Sequence, residues 1–255
     1  MRVAKFFILI GMAFSLLTAP TQAAQPPVHV ESVVKDGSII NGAVYYPDVK
    51  KKKYSAVLLL HSLGYNSAKW APFAEAIADA GYAVITVDFR GHGRSVYTSK
   101  LNRQSWINYK RTVFQKYPDD VLAFLKTVKE EHPLISFEEW GIIGADIGSN
   151  TAILVAEKAK NKPKTLVLVT PHESYKGLFV PLAIVEMGPI PILTISSTTD
   201  RACLVEQEKL KRYAQAEYVI KNFPSNTTGM LMVNVNKKVR NLIINWLEFK
   251  VAQFE

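Results

Sequence analysis

The sequence predicts an α/β protein: one mostly parallel, twisted sheet of about eight strands with helices on both faces. Three observations carry this expectation. Short apolar runs alternate with longer amphipathic ones along the chain. Several short runs, Tyr54–Leu60 foremost, are apolar without interruption, as strands covered on both faces are. No repeat, low-complexity tract or linker divides the chain, so residues 24–255 read as a single domain.

The elements follow in order. Val28–Val34 and Ile39–Tyr46 flank Lys35-Asp36-Gly37-Ser38 and read as a β-hairpin. Tyr54–Leu60 is a buried strand. Ser67–Ala80 gathers Trp70, Phe73, Ala74, Ile77 and Ala80 on one helical stripe, and Gly81 closes it. Tyr82–Val87 is a second buried strand. Pro118–Lys129 reads as a helix opened by Pro118, Asp119 and Asp120, residues that suit a positive N-terminus. Gly141–Ala145 is a strand, Gly148–Lys160 a helix, and Thr165–Val169 a strand. Ile190–Ile195 is a further strand, Cys203–Ala214 a helix, Glu217–Ile220 an edge strand and Asn234–Lys250 the closing helix. Only some twenty residues separate Val169 from Ile190, which leaves little room for a cap over the sheet's carboxyl edge.

Composition excludes several classes. At 48% apolar residues the 255-residue chain is far from a disordered one. A lone Cys203 builds neither an internal disulfide framework nor a Cys-based zinc site. Asp146, Asp200 and His172 offer hard ligands but no short-range spacing motif, so no metal and no cofactor is expected. The basic run Lys50–Lys53 follows Pro47-Asp48 in a turn and reads as a solvated loop; no nucleic-acid-binding motif accompanies it. Residues 1–23 read as a signal peptide. Arg2 and Lys5 precede the apolar run Phe6–Leu17, which is short for a membrane span, and small residues follow at Thr18–Ala24. Cleavage near Ala23 would lower the net charge of +9 by two, giving an exported, periplasmic or secreted, monomeric domain with no integral membrane span.

Ligands of open α/β sheets bind outside the carboxyl ends of the strands. Four such ends carry chemistry here: Leu58-Leu-Leu-His61-Ser62-Leu63-Gly64, Val87-Asp88-Phe-Arg-Gly-His92-Gly-Arg-Ser95, Gly141-Ile-Ile-Gly-Ala-Asp146-Ile147-Gly148, and Pro191 to Asp200. On these motifs the mature chain resembles the α/β-hydrolase superfamily, in a cap-poor, serine-hydrolase-like form. His61 to Gly64 is similar to the family's oxyanion loop, Asp88 to Ser95 to its Asp-x-Arg-Gly-His-Gly-x-Ser stretch, and Gly144-Ala-Asp-Ile-Gly148 to the G-x-S-x-G nucleophile elbow. Asp200 matches the triad acid. The resemblance implies an α/β-hydrolase fold with minimal cap, and a pocket formed by His61, Ser62, Leu63 and Ile147.

Two departures bear on activity. Asp146 stands where the family has Ser, and the stretch matching the catalytic histidine holds Asn226-Thr-Thr-Gly229, with no His after His172. Serine-type acyl transfer needs a hydroxyl nucleophile and a base, and neither is present at the matching positions. Asp146 therefore has three readings. It accepts hydrogen bonds from the N–H groups of Leu63 and Ile147 and locks the loop; it contacts a ligand; or it attacks carbon, as in dehalogenase- and epoxide-hydrolase-like relatives, with His172 as the relocated base. Asp200, lacking a His to orient, is expected to cap the helix near Cys203 or to pair with Arg201. His61 and His92 are expected to order their loops. The sequence thus reads as a degenerate, non-catalytic hydrolase homologue that binds a small ligand or a protein partner, and no nucleic acid, through the former pocket. The alternative is an active hydrolase on an ester, C–halogen or epoxide substrate.

Overall fold

The computed structural model describes residues 25–254; the expected signal peptide lies outside the described residues. Strands β1 (Val28–Val33), β2 (Ile39–Tyr45), β3 (Tyr54–Leu60), β4 (Ala83–Val87), β5 (Ile135–Ala145), β6 (Thr165–Val169), β9 (Ile192–Ser197) and β10 (Tyr218–Phe223) form one open sheet, ordered β1-β2-β4-β3-β5-β6-β9-β10. The first two pairings are antiparallel and the rest parallel. Strands β3, β4 and β6 are buried at every residue, which is why their sequences show no polar alternation.

Helices fill both faces. On one side, α3 (Tyr117–Glu131) and α4 (Ile147–Lys158) bury Val121, Phe124, Ile153 and Ala156 with Leu58 and Ile142 from the sheet. On the other, α1 (Ala71–Asp79), α7 (Gly229–Val235) and α8 (Lys237–Lys250) bury Phe73, Ile77, Met232 and Leu247 against Val57, Ile143 and Val167. The expected closing helix is two helices: Asn236 takes an extended conformation and caps α8 through the N–H groups of Lys238 and Val239. Between β6 and β9 lie a small hairpin, β7 (Ser174–Tyr175) with β8 (Leu178–Phe179), and the short α5 (Pro181–Glu186). Helix α2 (Arg111–Phe114) stands beside the hairpin, and α6 (Arg201–Lys211) follows β9. Among the described residues no helix is long and apolar enough to cross a membrane.

Candidate active site

Asp146 sits between β5 and α4 with φ 55° and ψ −119°, a backbone region that L-residues rarely adopt. The turn is tight because its flanking glycines allow it. A Cβ on Gly144 would lie 2.2 Å from the carbonyl oxygen of Gly148, and one on Gly148 would lie 2.4 Å from that of Leu60. The strained residue is held by its own backbone: its N–H donates to Val169 C=O at 2.8 Å, and its C=O accepts from Ser149 N–H at 2.9 Å. Such strain costs about 1–3 kcal/mol and persists only where the surroundings impose it.

The carboxylate of Asp146 faces two ways. Oδ2 accepts the N–H of Leu63 at 3.0 Å. Its side chain makes no hydrogen bond to the first turn of α4, so the bond expected from Ile147 is absent. Oδ1 lies 3.5 Å from Nε2 of His172. On the other side of that ring, Nδ1 lies 3.5 Å from Oε2 of Glu206. The three groups form a line of carboxylate, imidazole and carboxylate. Side-chain exposures of 20%, 22% and 28% keep all three within reach of a small molecule.

His172 is placed by its loop rather than by chance contact. Thr170, at the end of β6, has φ 55°, which is unusual for a β-branched residue. Asn150 of α4, fully buried, clamps the next residues: its Nδ2 donates to His172 C=O at 2.8 Å and to Leu178 C=O at 3.0 Å, and its Oδ1 accepts His172 N–H at 3.3 Å. Glu206 accepts the N–H of Glu173 at 2.7 Å, and Tyr175 stacks on the imidazole at 4.9 Å between centroids. Burial lowers the pKa of His172. The hydrogen bond and charge of Asp146, with the charges of Glu206 and Asp200, outweigh burial and hold it above its ordinary value.

The other site residues serve the frame. Asp200 caps α6, its Oδ1 accepting Cys203 N–H at 3.0 Å. Cys203 is buried, and its Sγ lies 3.5 Å from Pro171 C=O. His61 is wholly buried; its Nδ1 meets Ser62 C=O at 2.8 Å and its Nε2 accepts Phe89 N–H at 3.0 Å. Burial drives its pKa down to about 4, so the ring is neutral. His92 stacks on Trp106, accepts Gly64 N–H at 3.3 Å, and is pushed by burial down to about 3. Ser62 Oγ accepts Met230 N–H at 3.1 Å. Asn226 lies exposed in its loop. The residue of that loop set against Asp146 is Gly229, where a Cβ would stand 3.6 Å from that of Asp146 and 2.5 Å from Ser62 Oγ.

Sequence reasoning missed Glu206, Asn150 and Tyr175. Glu206 lies one helical turn after Cys203, on the face of α6 that meets the Pro171–Glu173 segment, but no motif marks that face. Metal ligation is a poor fit to Asp146, His172 and Glu206. The carboxylates lie at opposite ring nitrogens, and among the described residues no three such groups converge on one point.

The family model for serine aminopeptidase S33 matches residues 51–244, about three quarters of the chain. Among curated proteins none matches. In solved structures the fold is similar to acylaminoacyl peptidase from Pyrococcus horikoshii, with a TM-score of 0.71 and 15% identity over 92% of this chain. The match takes in only 43% of that longer protein, so this chain spans less than half of its length. A thermostable carboxyl esterase from Bacillus coagulans has a TM-score of 0.68 at 13% identity, covering 88% of this chain and 99% of the esterase. Dienelactone hydrolase from Anabaena variabilis has a TM-score of 0.67 at 16% identity, covering 89% and 99%. Identities this low speak for the fold alone. The family match across most of the chain, on an open and mostly parallel sheet with a strained elbow, shows that the protein belongs to the serine aminopeptidase S33 family of the α/β-hydrolase superfamily.

Proposed function

We propose that this protein hydrolyses small electrophiles at saturated carbon, epoxides foremost, through a covalent ester on Asp146, and has no serine-type acyl transfer. The observation that carries the reading is the Asp146–His172–Glu206 line on a strained elbow, with Asp146 Oδ1 unbonded except toward His172.

The steps balance. Asp146 Oδ1 attacks an epoxide carbon, the C–O bond of the ring breaks, and the proton of the His172 imidazolium passes to the released alkoxide. The product is an alkyl ester of Asp146 beside a neutral His172. Losing the Asp146 charge removes the largest influence that raised the His172 pKa, so the imidazole becomes a base at the moment one is needed. It takes a proton from water, and hydroxide adds to the ester carbonyl carbon. Charge then develops on Oδ2, which already accepts the N–H of Leu63. The vacant N–H of Ile147, at the first position of α4, offers a second donor. Collapse breaks the bond between Cγ and the alkylated Oδ1, the leaving alkoxide takes the proton of the His172 imidazolium and departs as a vicinal diol, and the acid proton of Asp146 then returns to His172. An alkyl halide would lose its halide without a proton, and the His172 imidazolium would give its proton to solvent once the Asp146 charge is gone, before acting as base.

A second reading rests on one observation, the Leu63–Asp146 bond, which is also what a permanently filled oxyanion loop would show. Single turnover of styrene oxide and of 1-bromohexane in H₂¹⁸O separates the two. The catalytic reading expects ¹⁸O in the peptide that contains Asp146. Unlabelled Asp146 after either product forms would overturn the covalent ester, and no product from either supports the non-catalytic reading.

A further inference from the structure

The hairpin β7–β8 and helix α2 enclose a cavity of about 400 Å³ that the steps above do not use; it is lined by Tyr109, Arg111, Phe114, Ser174, Tyr175 and Lys176 among others. Its walls carry two cations, one from each element, and no carboxylate. Among the described residues neither Arg111 nor Lys176 has an acidic partner within ion-pair distance. The cleft is braced. Gln115 Nε2 donates to Gly177 C=O at 3.2 Å, and a Cβ on Gly177 would stand 3.1 Å from Cβ of Arg111. Lys176 occupies the first central position of the hairpin turn with φ 52°, where Asn, Asp or Gly would be less strained. Its ammonium stands 6.0 Å from the ring of Tyr175, the same ring that stacks on His172. Tyr175 is therefore the shared partition between this cavity and the reacting groups.

We infer that this cavity is the subsite for a carboxylate carried by an aromatic or otherwise planar substrate, with Arg111 and Lys176 holding the anion and Tyr109 and Tyr175 the ring. Arg presents a planar fork that matches a carboxylate, and the aromatic walls match a flat hydrophobic body. The catalytic half of this inference rests on the Asp146–His172 reading; the binding half does not. It makes Arg111 and Lys176 determinants of specificity, distant from the attacked carbon and outside the acid–base machinery.

Two measurements test it on the whole protein. In the binding arm, benzoate and neutral benzamide are titrated into Asp146→Asn protein and followed by NMR. Benzoate should bind at least tenfold more tightly than benzamide. The further pair Arg111→Gln and Lys176→Gln should abolish that difference while leaving benzamide unchanged. In the kinetic arm, kcat/KM for 3-phenylglycidate should exceed that for 3-phenylglycidamide at least tenfold, and the same pair of substitutions in the otherwise unaltered protein should equalise them. Both side chains are exposed, so the variants should keep the wild-type Tm. Preferential benzoate binding with no turnover of either glycidate would uphold the subsite and overturn the Asp146 chemistry. Equal binding of benzoate and benzamide, or a preference that survives loss of both cations, would overturn the subsite and leave that chemistry standing.

Discussion

At the scale of residues, the role of each acid is decided by where its oxygens point. Asp200, which the sequence resemblance pairs with the family acid, spends its carboxylate on the first turn of α6, whereas Glu206, unmarked in the sequence, faces His172. Asp200→Asn should cost little, since Asn caps nearly as well, and Asp200→Ala should cost about 1 kcal/mol of stability. Glu206→Gln should move the His172 titration, read from its imidazole proton resonances, downward by more than Asp200→Asn does. The reverse order would return the orienting role to Asp200. Asp146 was legible because a five-residue motif frames it and because its side chain contradicts that motif. Glu206 was not, because only the folded arrangement brings it across 34 residues to His172 in the middle of an ordinary amphipathic helix.

At the scale of elements, one segment carries the site: the chain from Thr170 to Val180, strained at its start and tied down by Asn150. Asn150→Ala would leave the N–H and C=O of His172 and the C=O of Leu178 without their partner. Leaving buried groups unpaired costs about 1–3 kcal/mol, so chemical denaturation should show a loss in that range. Asn150→Asp, which sets a buried carboxylate oxygen against the carbonyls of His172 and Leu178, should cost at least as much. A midpoint unchanged in the Ala variant would mean that the clamp does not hold the loop. The short interval between Val169 and Ile190 is too small for a cap domain and holds only β7, β8 and α5, and its two-residue strands leave no period to detect. The closing helix was placed at the correct end of the chain, but its break at Asn236 was hidden by apolar positions that continue across it. Long strands such as β3 were plain because seven buried residues in a row admit few other readings.

At the scale of the molecule, buried histidines held below their ordinary pKa oppose His172, whose acidic neighbours raise its own. His61 and His92 have folded pKa values of about 4 and about 3, below the unfolded value near 6.5, so the unfolded chain binds more protons through that interval and stability is lost as pH falls across it. His172 acts in the opposite sense. Its raised pKa contributes stability that is fully present below the unfolded value and is lost as pH rises through the folded one. His132, also held below its ordinary value by burial, adds to His61 and His92, so the whole protein should be less stable at pH 5 than at pH 8 by about 2–4 kcal/mol in chemical denaturation. His172→Gln should widen that difference, because it removes the opposing contribution. Equal stability at the two pH values would show that the His61–Phe89 and His92–Gly64 bonds do not keep those rings neutral. The overall architecture was legible because alternation, strand burial and motif order agree on one sheet. The direction in which Asp146 points was not, since a rotation about its side chain separates a filled oxyanion loop from a poised nucleophile.

That rotation is what the central claim depends on, and trapping the ester tests it directly. In His172→Gln protein the nucleophile remains and the base for the second step is gone, so 1-bromohexane, whose bromide leaves without a proton, should leave a stable hexyl ester, visible in the intact protein and mapped to Asp146 by peptide fragmentation. Asp146→Asn in the same background should remove the adduct. Its absence from His172→Gln protein, or its location on any residue other than Asp146, would contradict the account.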